Sequence, residues 1–387
     1  MTTDPLGFAD EALDALLKEE LLRGLTDIES GPGPEVVVGG ERLINFSSNN
    51  YLGLAEHPAL AEATAEAARR WGAGATASRL IVGTHGLVRD LEQRLAILRG
   101  TEAALVFPTG YQANLGTVGA LMGRGDLIVA DKLCHASLID AARLSGATLR
   151  TFAHGDLALL EERLAKHPER GRMLVMTDGV FSMDGDLCHL RDLVEITAHH
   201  GALLLVDDAH AVGVLGKTGA GICEHFGIAP PRHLILTATL SKALGSQGGF
   251  VCGPRRLTDL LVNRARTFIF TTGLAPPAAA AALAALDVID REPERRERLS
   301  ANRERLASAL KAKGWDLGGS VTPIIPLMAG TPGAAMALAA RLRSNGILGV
   351  PIRPPTVPRG ASRVRLSVMS THTDAHLDAL IDAVGDV

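Results

Sequence analysis

Leu234–Gly249 reads LILTATLSKALGSQGG, and the rest of the chain is organised around it. Leu234 to Leu236 form an apolar run that suits a short buried strand. Thr237, Thr239 and Ser241 bring hydroxyls towards a single lysine, Lys242, and Ala243, Gly245, Ser246, Gly248 and Gly249 follow. Surface lysines usually stand on helices among other charges. This one stands among small residues, as though something bulky fills the space that side chains would otherwise take. A lysine amine condenses with a carbonyl to form a Schiff base, which is one use for such a residue. The alternative, from this stretch alone, is a solvated lysine in a glycine-rich loop.

Upstream of this stretch, strand-like and helix-like segments alternate. Apolar runs at Ala103–Phe107, Leu127–Ala130, Thr148–Phe152, Met173–Thr177 and Leu203–Val206 read as strands. Helical periodicity falls at Leu87–Leu98, Leu115–Met122, Leu157–Lys166 and Leu190–His200, and Phe250–Cys252 reads as one more strand. That alternation defines an α/β fold with a mostly parallel sheet. Ahead of it, Phe8–Leu25 has helical spacing with Leu13, Leu16, Leu17, Leu21 and Leu22 on its apolar side, and Glu35–Val38 with Arg42–Phe46 suggest a hairpin. Beyond Pro276, helices alternate with short strands, as in a smaller α+β domain. The expected organisation is an N-terminal arm over residues 1–48, a large domain over 49–280 and a small C-terminal domain over 281–387.

The chain has 387 residues, 47% hydrophobic and 21% charged, enough for a large core and more than one layer. A formal net charge of -4 argues against a general nucleic-acid binder. No run of eighteen apolar residues occurs, so no membrane span is expected. The acidic, amphipathic first twenty residues do not resemble a signal peptide. Cys134, Cys188, Cys223 and Cys252 lie far apart without C-x-x-C spacing, which argues against a zinc site or disulfide framework and fits a reduced, cytoplasmic protein.

In open α/β sheets, ligands bind beyond the carboxyl ends of the strands. Ala103–Phe107 delivers Thr109-Gly110-Tyr111 there, at a helix N-terminus suited to an anion. Leu127–Ala130 delivers His135, and Met173–Thr177 delivers Asp178 and Ser182. Leu203–Val206 delivers Asp207 and His210, and Leu234–Leu236 delivers Thr239, Ser241 and Lys242. This set suits pyridoxal phosphate (PLP): an amine for its carbonyl, a carboxylate for its ring nitrogen, and an imidazole to cover its face. Each residue alone has an ordinary structural explanation, a helix cap or a core histidine. A rival motif, Ala211-Val212-Gly213-Val214-Leu215-Gly216-Lys217-Thr218, matches a loose phosphate-binding loop of NTPases. Asp207-Asp208-Ala209-His210 separates it from its strand, and Gly219-Ala220-Gly221 is a poor helix start.

The runs Thr109-Gly110-Tyr111-Gln112-Ala113-Asn114, Cys134-His135-Ala136-Ser137, Val180-Phe181-Ser182-Met183-Asp184-Gly185, Val206-Asp207-Asp208-Ala209-His210, Thr239-Leu240-Ser241-Lys242 and Arg353-Pro354-Pro355-Thr356-Val357-Pro358 resemble the α-oxoamine synthases. The resemblance extends from about residue 8 to the C-terminus. It implies a fold-type-I PLP-dependent transferase, aspartate-aminotransferase-like, working as a homodimer with shared active sites. The implied reaction is decarboxylative condensation of L-alanine with a pimeloyl thioester, carried on CoA or acyl carrier protein. The 2-amino-3-ketobutyrate and 5-aminolevulinate members of the family are the alternatives. By the same resemblance Lys242 would hold the cofactor, His135 would stack on its ring, and Asp207 would pair with its nitrogen. His210 and Ser182 would address the phenolic oxygen. Gly110, Tyr111, Thr239 and Ser241 would surround the phosphate, with Thr271 and Thr272 reaching it from a second subunit. Asn49 and Arg365 would address the amino acid, and Arg23 and Arg353 the acyl-chain entrance. Ser241 departs from the glycine common at its position in the family.

Overall fold

The computed structural model describes residues 5–166 and 171–386; the first four residues of the amphipathic N-terminal stretch lie outside them. The chain divides into two compact units, one of Met1–Asn49, Met183–Gly185 and Leu299–Val387, the other of Asn50–Ser182 and Asp186–Arg298. In the first unit, helix α1 (Gly7–Lys18) is shorter than its periodicity predicts. Glu20 takes a left-handed φ of 58°, and the Leu21 and Leu22 amides turn back to the Leu16 carbonyl, which ends the helix. Its leucines do not form the buried face expected: Leu13, Leu16 and Leu17 are exposed, and no α1 residue is buried. Strands β1 (Glu35–Val38) and β2 (Glu41–Asn45) form the expected hairpin. Gly39 and Gly40 both have positive φ, which a two-residue hairpin turn of matching twist requires.

The second unit carries the helices α2 (Pro58–Trp71) and α3 (Gly86–Arg99), then β3 (Ala103–Phe107), α4 (Gly110–Leu121), β4 (Leu127–Asp131), α5 (Ala136–Ser145), β5 (Thr148–Phe152) and α6 (Leu157–Ala165). It continues through β6 (Met173–Asp178), α7 (Leu190–His199), β7 (Leu203–Asp207), α8 (Ile222–Phe226), β8 (Leu234–Thr239), β9 (Gly249–Gly253), α9 (Arg255–Arg264), α10 (Arg266–Ile269) and α11 (Pro276–Arg291). The strands make one seven-stranded sheet in the order β3-β9-β8-β7-β6-β4-β5. Pairing is parallel throughout except around β9, which runs antiparallel to both β3 and β8. Every residue of β3, β4 and β9 is buried, as expected of strands covered on both faces. Ile128, Leu174, Met176, Leu205, Ile235 and Val251 pack there against Val118 and Leu138. Each such side chain contributes about 1.5–3 kcal/mol of burial free energy. Parallel pairing puts the carboxyl ends of β4, β6, β7 and β8 on one edge, and the candidate residues with them.

Three local differences from the sequence reading matter. Helix α4 begins at Gly110, not Leu115, because Thr109 caps it: the Thr109 Oγ1 accepts the Gln112 amide at 3.1 Å. Strand β8 extends to Thr239, so Thr237 is a buried strand residue and not part of the lysine loop. The apolar run Phe268-Ile269-Phe270, which in the sequence suits burial against a second subunit or a core strand, belongs partly to helix α10, with Phe268 buried and Phe270 69% exposed.

Helix α12 (Glu294–Ala312) leads back into the first unit, followed by β10 (Ile324–Gly330), α13 (Pro332–Ser344), β11 (Ile347–Leu348), β12 (Val350–Ile352), β13 (Ser362–Ser367) and α14 (Asp374–Val384). An antiparallel sheet β10-β13-β12 is the α+β element foreseen. Strand β11 adds in parallel to β2, which joins the N-terminal hairpin to the C-terminal segment within this unit.

Candidate active site

At the carboxyl edge of the seven-stranded sheet lies a cavity of about 180 Å³. Gly110, Tyr111, His135, Asp207, His210, Thr239 and Lys242 line it, all residues singled out from sequence. Lys242 is half-buried, and its Nζ stands 2.8 Å from His210 Nε2. The other ring nitrogen of His210 is 2.7 Å from the Tyr51 hydroxyl, so a buried tyrosine and histidine orient the amine in series. Asp207, the last residue of β7, is held by neutral donors. Asn114 Nδ2 donates to its Oδ2 at 2.7 Å, and the Ala209 amide donates to its Oδ1 at 3.1 Å.

The same Asn114 amide donates to Ser137 Oγ at 2.8 Å, and Ser137 Oγ is 2.7 Å from His135 Nδ1. One network therefore runs from the carboxylate of Asp207 to the imidazole of His135. Burial pushes the His135 pKa below its usual value; Asp207 opposes that shift and Lys242 reinforces it. The result is a neutral, flat ring at neutral pH. Asp178 accepts the His135 backbone amide at 2.9 Å and pairs in register with Asp207 across the sheet. Burial and the adjacent Asp207 charge push its carboxyl well above the usual range.

Close backbone packing explains two of the glycines around Lys242. A Cβ on Gly245, which has a φ of +59°, would lie 2.6 Å from the Ala55 nitrogen. One on Gly249 would lie 2.4 Å from the Cα and nitrogen of Gly110. Gly249 thus lets the strand after the lysine loop touch the start of α4, and Gly245 lets the loop itself touch the Leu54–Ala55 backbone. The first amides of α4 have no carbonyl partner within the helix, and Gly110 and Tyr111 present them at the cavity wall.

Not every candidate lines this cavity. Ser182, Ser241, Thr271 and Thr272 are absent from its lining. Ser241 Oγ donates to the Gly248 carbonyl at 3.4 Å, Gln112 Nε2 donates to Thr271 Oγ1 at 3.2 Å, and Thr272 bridges Ser78. In the other unit, Arg365 donates to Asn49 Oδ1 at 3.0 Å and to Ser367 Oγ at 3.0 Å. Arg23 donates to the Pro354 carbonyl and to Thr356 Oγ1, both at 3.3 Å, while Arg353 donates to the carbonyls of Glu20 and Leu22. These two arginines tie the N-terminal arm and the Arg353–Pro358 loop to each other.

Sequence reasoning brought Asp178 to the ligand edge without giving it a role, and gave none to Asn114, Ser137, Ala209 or Ala238, which also line the cavity, nor to Tyr51 behind it. Asn114 and Ser137 stand inside the runs that carry the family resemblance.

The phosphate-loop motif does not form such a loop. Glu224 fills it, accepting the Thr218 amide from both carboxylate oxygens at 3.0 Å and the Ala220 amide at 3.0 Å. A carboxylate where a phosphate would sit excludes an anion, and the helix that follows, α8, has only five residues.

The chain belongs to the aminotransferase class I and II family, whose description matches residues 41–384, and within it to the α-oxoamine synthases. It is 46% identical to the 8-amino-7-oxononanoate synthase of Geobacter sulfurreducens, over 97% of this chain and 96% of that one. Its identity to the protein of the same name from Methylococcus capsulatus is 44%, over 100% and 98% of the two chains. Among solved structures, a serine palmitoyltransferase from S. paucimobilis with a bound PLP–myriocin aldimine superposes with a TM-score of 0.92 at 31% identity, covering 98% of this chain and 97% of that one. An 8-amino-7-oxononanoate synthase from Francisella tularensis superposes with a TM-score of 0.77 at 30% identity, covering 88% and 96%.

Proposed function

We propose that this protein is a PLP-dependent, decarboxylating C-acyltransferase that condenses L-alanine with a pimeloyl thioester to give 8-amino-7-oxononanoate, a step of biotin synthesis. The observation that carries this reading is the cavity in which Lys242, His210, Asp207 and the first turn of α4 converge. Near-full-length identity of 44–48% to relatives of that name selects the substrates.

The residues present fit the cofactor. Lys242 offers an amine for its carbonyl, Asp207 a carboxylate for its ring nitrogen, and Gly110 and Tyr111 amides for its phosphate. When bound, PLP supplies an electron sink for the charge left at the substrate Cα. Lys242 would hold the cofactor through its amine and, with that amine free, would take the Cα proton. His210 holds Nζ at 2.8 Å and is itself held by Tyr51, which fixes the direction of that proton transfer. Asn114 and Ala209 orient Asp207 without cancelling its charge. His135, neutral and tethered to Ser137, would cover the ring face and exclude water from it. We assign Ser182 to the phenolic side with His210, and Thr239 and Ser241 to the phosphate. Arg365, braced by Asn49, is assigned to the amino-acid carboxylate, and Arg23 and Arg353 to the acyl side.

Within this reading the enzyme is a homodimer with shared sites. Leu80, Ile81, Val82 and Phe270 are exposed by 49–77% on segments joined by the Ser78–Thr272 bridge. Such an apolar surface suits a second copy, with Thr271 and Thr272 reaching the partner's phosphate site. Mixed dimers of Lys242→Ala with Thr271→Val/Thr272→Val would carry one intact site and recover about half of wild-type activity. The four cysteines are free and buried, which fits the reducing cytoplasm. Among the described residues no helix is long and apolar enough to cross a membrane.

The deciding experiment is product mass analysis with alanine, glycine and serine against a panel of acyl thioesters on CoA and on acyl carrier protein. Alanine with pimeloyl thioester is expected to give 8-amino-7-oxononanoate. Turnover only with serine and a long-chain thioester would assign the chain to the sphingoid-base branch instead.

A further inference from the structure

One titratable cluster outside the cavity stands between two of the loops that serve it. His154 follows β5, and its Nδ1 lies 3.0 Å from Asp131 Oδ2 while its Nε2 lies 2.7 Å from Asp186 Oδ2. With a carboxylate at each ring nitrogen, both nitrogens donate, so the ring is an imidazolium. The Asp131 side chain is 4% exposed, that of Asp186 21% and that of His154 30%. This is a partly buried bridge, better shielded from solvent than a surface pair.

Each carboxylate shapes a different loop. Asp131 ends β4; its Oδ1 accepts the Leu133 amide at 2.8 Å and its carbonyl accepts the Cys134 amide at 3.2 Å. That turn leads directly into His135. The Asp186 carbonyl accepts the Phe181 amide at 3.1 Å, and Val180 bridges Leu187 outside it, which closes the loop carrying Ser182. The Phe181 ring meets the imidazole edge-on, with centroids 4.2 Å apart. The second oxygen of Asp186, Oδ1, is buried without a hydrogen-bond partner, so His154 is what holds this carboxylate in place.

We propose that His154 is a positioning residue whose cation clasps Asp131 and Asp186 together, keeping the His135 turn and the Ser182 loop in one registry during turnover. This role rests on the reaction assigned above. The hydrogen bonds to Asp131 and then Asp186 push the His154 pKa up to about 10. The sign follows: a raised histidine pKa gives stability fully present below 6.5 and lost as pH rises through about 10. The clasp is therefore closed across the neutral range. The other titratable groups beside it are His189 and Cys188, which line the same small cavity. Burial pushes the Cys188 thiol well up, so it stays neutral.

The test compares the holoenzymes of wild type, His154→Gln and Asp186→Asn by hydrogen exchange and steady-state kinetics. In His154→Gln, exchange should quicken in residues 132–137 and 180–187 and not in β7 or β8. Its kcat should fall about tenfold to a hundredfold with little change in KM for alanine, the scale of a small misplacement of catalytic groups. In Asp186→Asn the histidine keeps one carboxylate, so its pKa drops and protection of 180–187 should fade at a lower pH than in wild type. Unchanged exchange in both loops would overturn the proposal, as would an increase spread evenly over the chain or a pH profile identical to wild type. A wild-type enzyme inactive with alanine and pimeloyl thioester would sink the proposed reaction, while the exchange profiles would still judge the clasp.

Discussion

Asp207 and Asp208 are adjacent in sequence and sit in opposite environments at the end of β7. Asp207 faces the cavity and is fixed by an amide side chain and a backbone amide, neither of which carries charge. Asp208 faces the other way, with no side-chain exposure, and its Oδ2 lies 2.6 Å from the Arg99 guanidinium and accepts the Ile222 amide at 3.1 Å. Burial raises its pKa while Arg99 pulls it down. Two glycines make room for this pair: a Cβ on Gly179 would lie 2.6 Å from Asp208 Oδ1, and one on Gly221 2.2 Å from Oδ2. Neutral donors orient a carboxylate and leave its charge available to a ligand. A buried guanidinium neutralises a carboxylate in place, and the pair then only holds the turn behind the site.

The largest effect that would sharpen this division lies at Lys242. Lys242→Ala should lower turnover about a hundredfold to ten-thousandfold, the range for removing a positioned general base. It should also abolish the visible band of the lysine-bound cofactor, while thermal unfolding of the cofactor-free protein stays near wild type. Full turnover would remove the lysine from the centre of the site. The two aspartates come next. Asp207→Asn should cut kcat on the order of a hundredfold, as losing a placed charge does, with urea stability close to wild type. Asp208→Asn should do the reverse. Leaving Arg99 buried and unpaired costs about 3–5 kcal/mol, yet kcat per folded molecule should hold. If the two substitutions gave the same phenotype in both assays, the comparison would be broken.

Why was one side of β7 legible and the other not? Parallel strands buried on both faces read as apolar runs, so the polar residue that ends each run announces itself. Asp207 is legible that way, His135 follows such a run in the next loop, and Lys242 is marked by the small residues around it. Contacts across the fold leave no such mark. Tyr51 meets His210 from 159 positions away and Asn114 meets Asp207 from 93. Helical periodicity is legible only from Leu115, yet α4 begins at Gly110, because the Thr109 cap and the sheet beneath override the weak helix preference of glycine and asparagine. The α1 leucines show the converse failure. Their spacing is helical, and α1 forms, but periodicity does not say what would cover the face it creates.

The smallest expected effect concerns a third carboxyl, Asp178, which shares features of both neighbours. It lines the cavity like Asp207, but it is buried beside that charge, and among the described residues the His135 amide is the one donor to its side chain. Its pKa is therefore raised well above the ordinary 3.8, by burial first and by Asp207 second. For an acid shifted upwards, the unfolded state loses its proton at lower pH than the folded state does. Stability then falls as pH rises above 3.8, until the folded-state pKa is passed. Asp178→Asn removes that penalty and keeps an oxygen for the His135 amide. Cofactor-free Asp178→Asn should unfold at a higher urea concentration than wild type at neutral pH, and the advantage should vanish below the ordinary carboxylate value. A gain that persists in acid would mean that packing, not titration, is responsible. A loss at neutral pH would mean that Asp178 is ionised and paired, which would place it with Asp208 rather than Asp207.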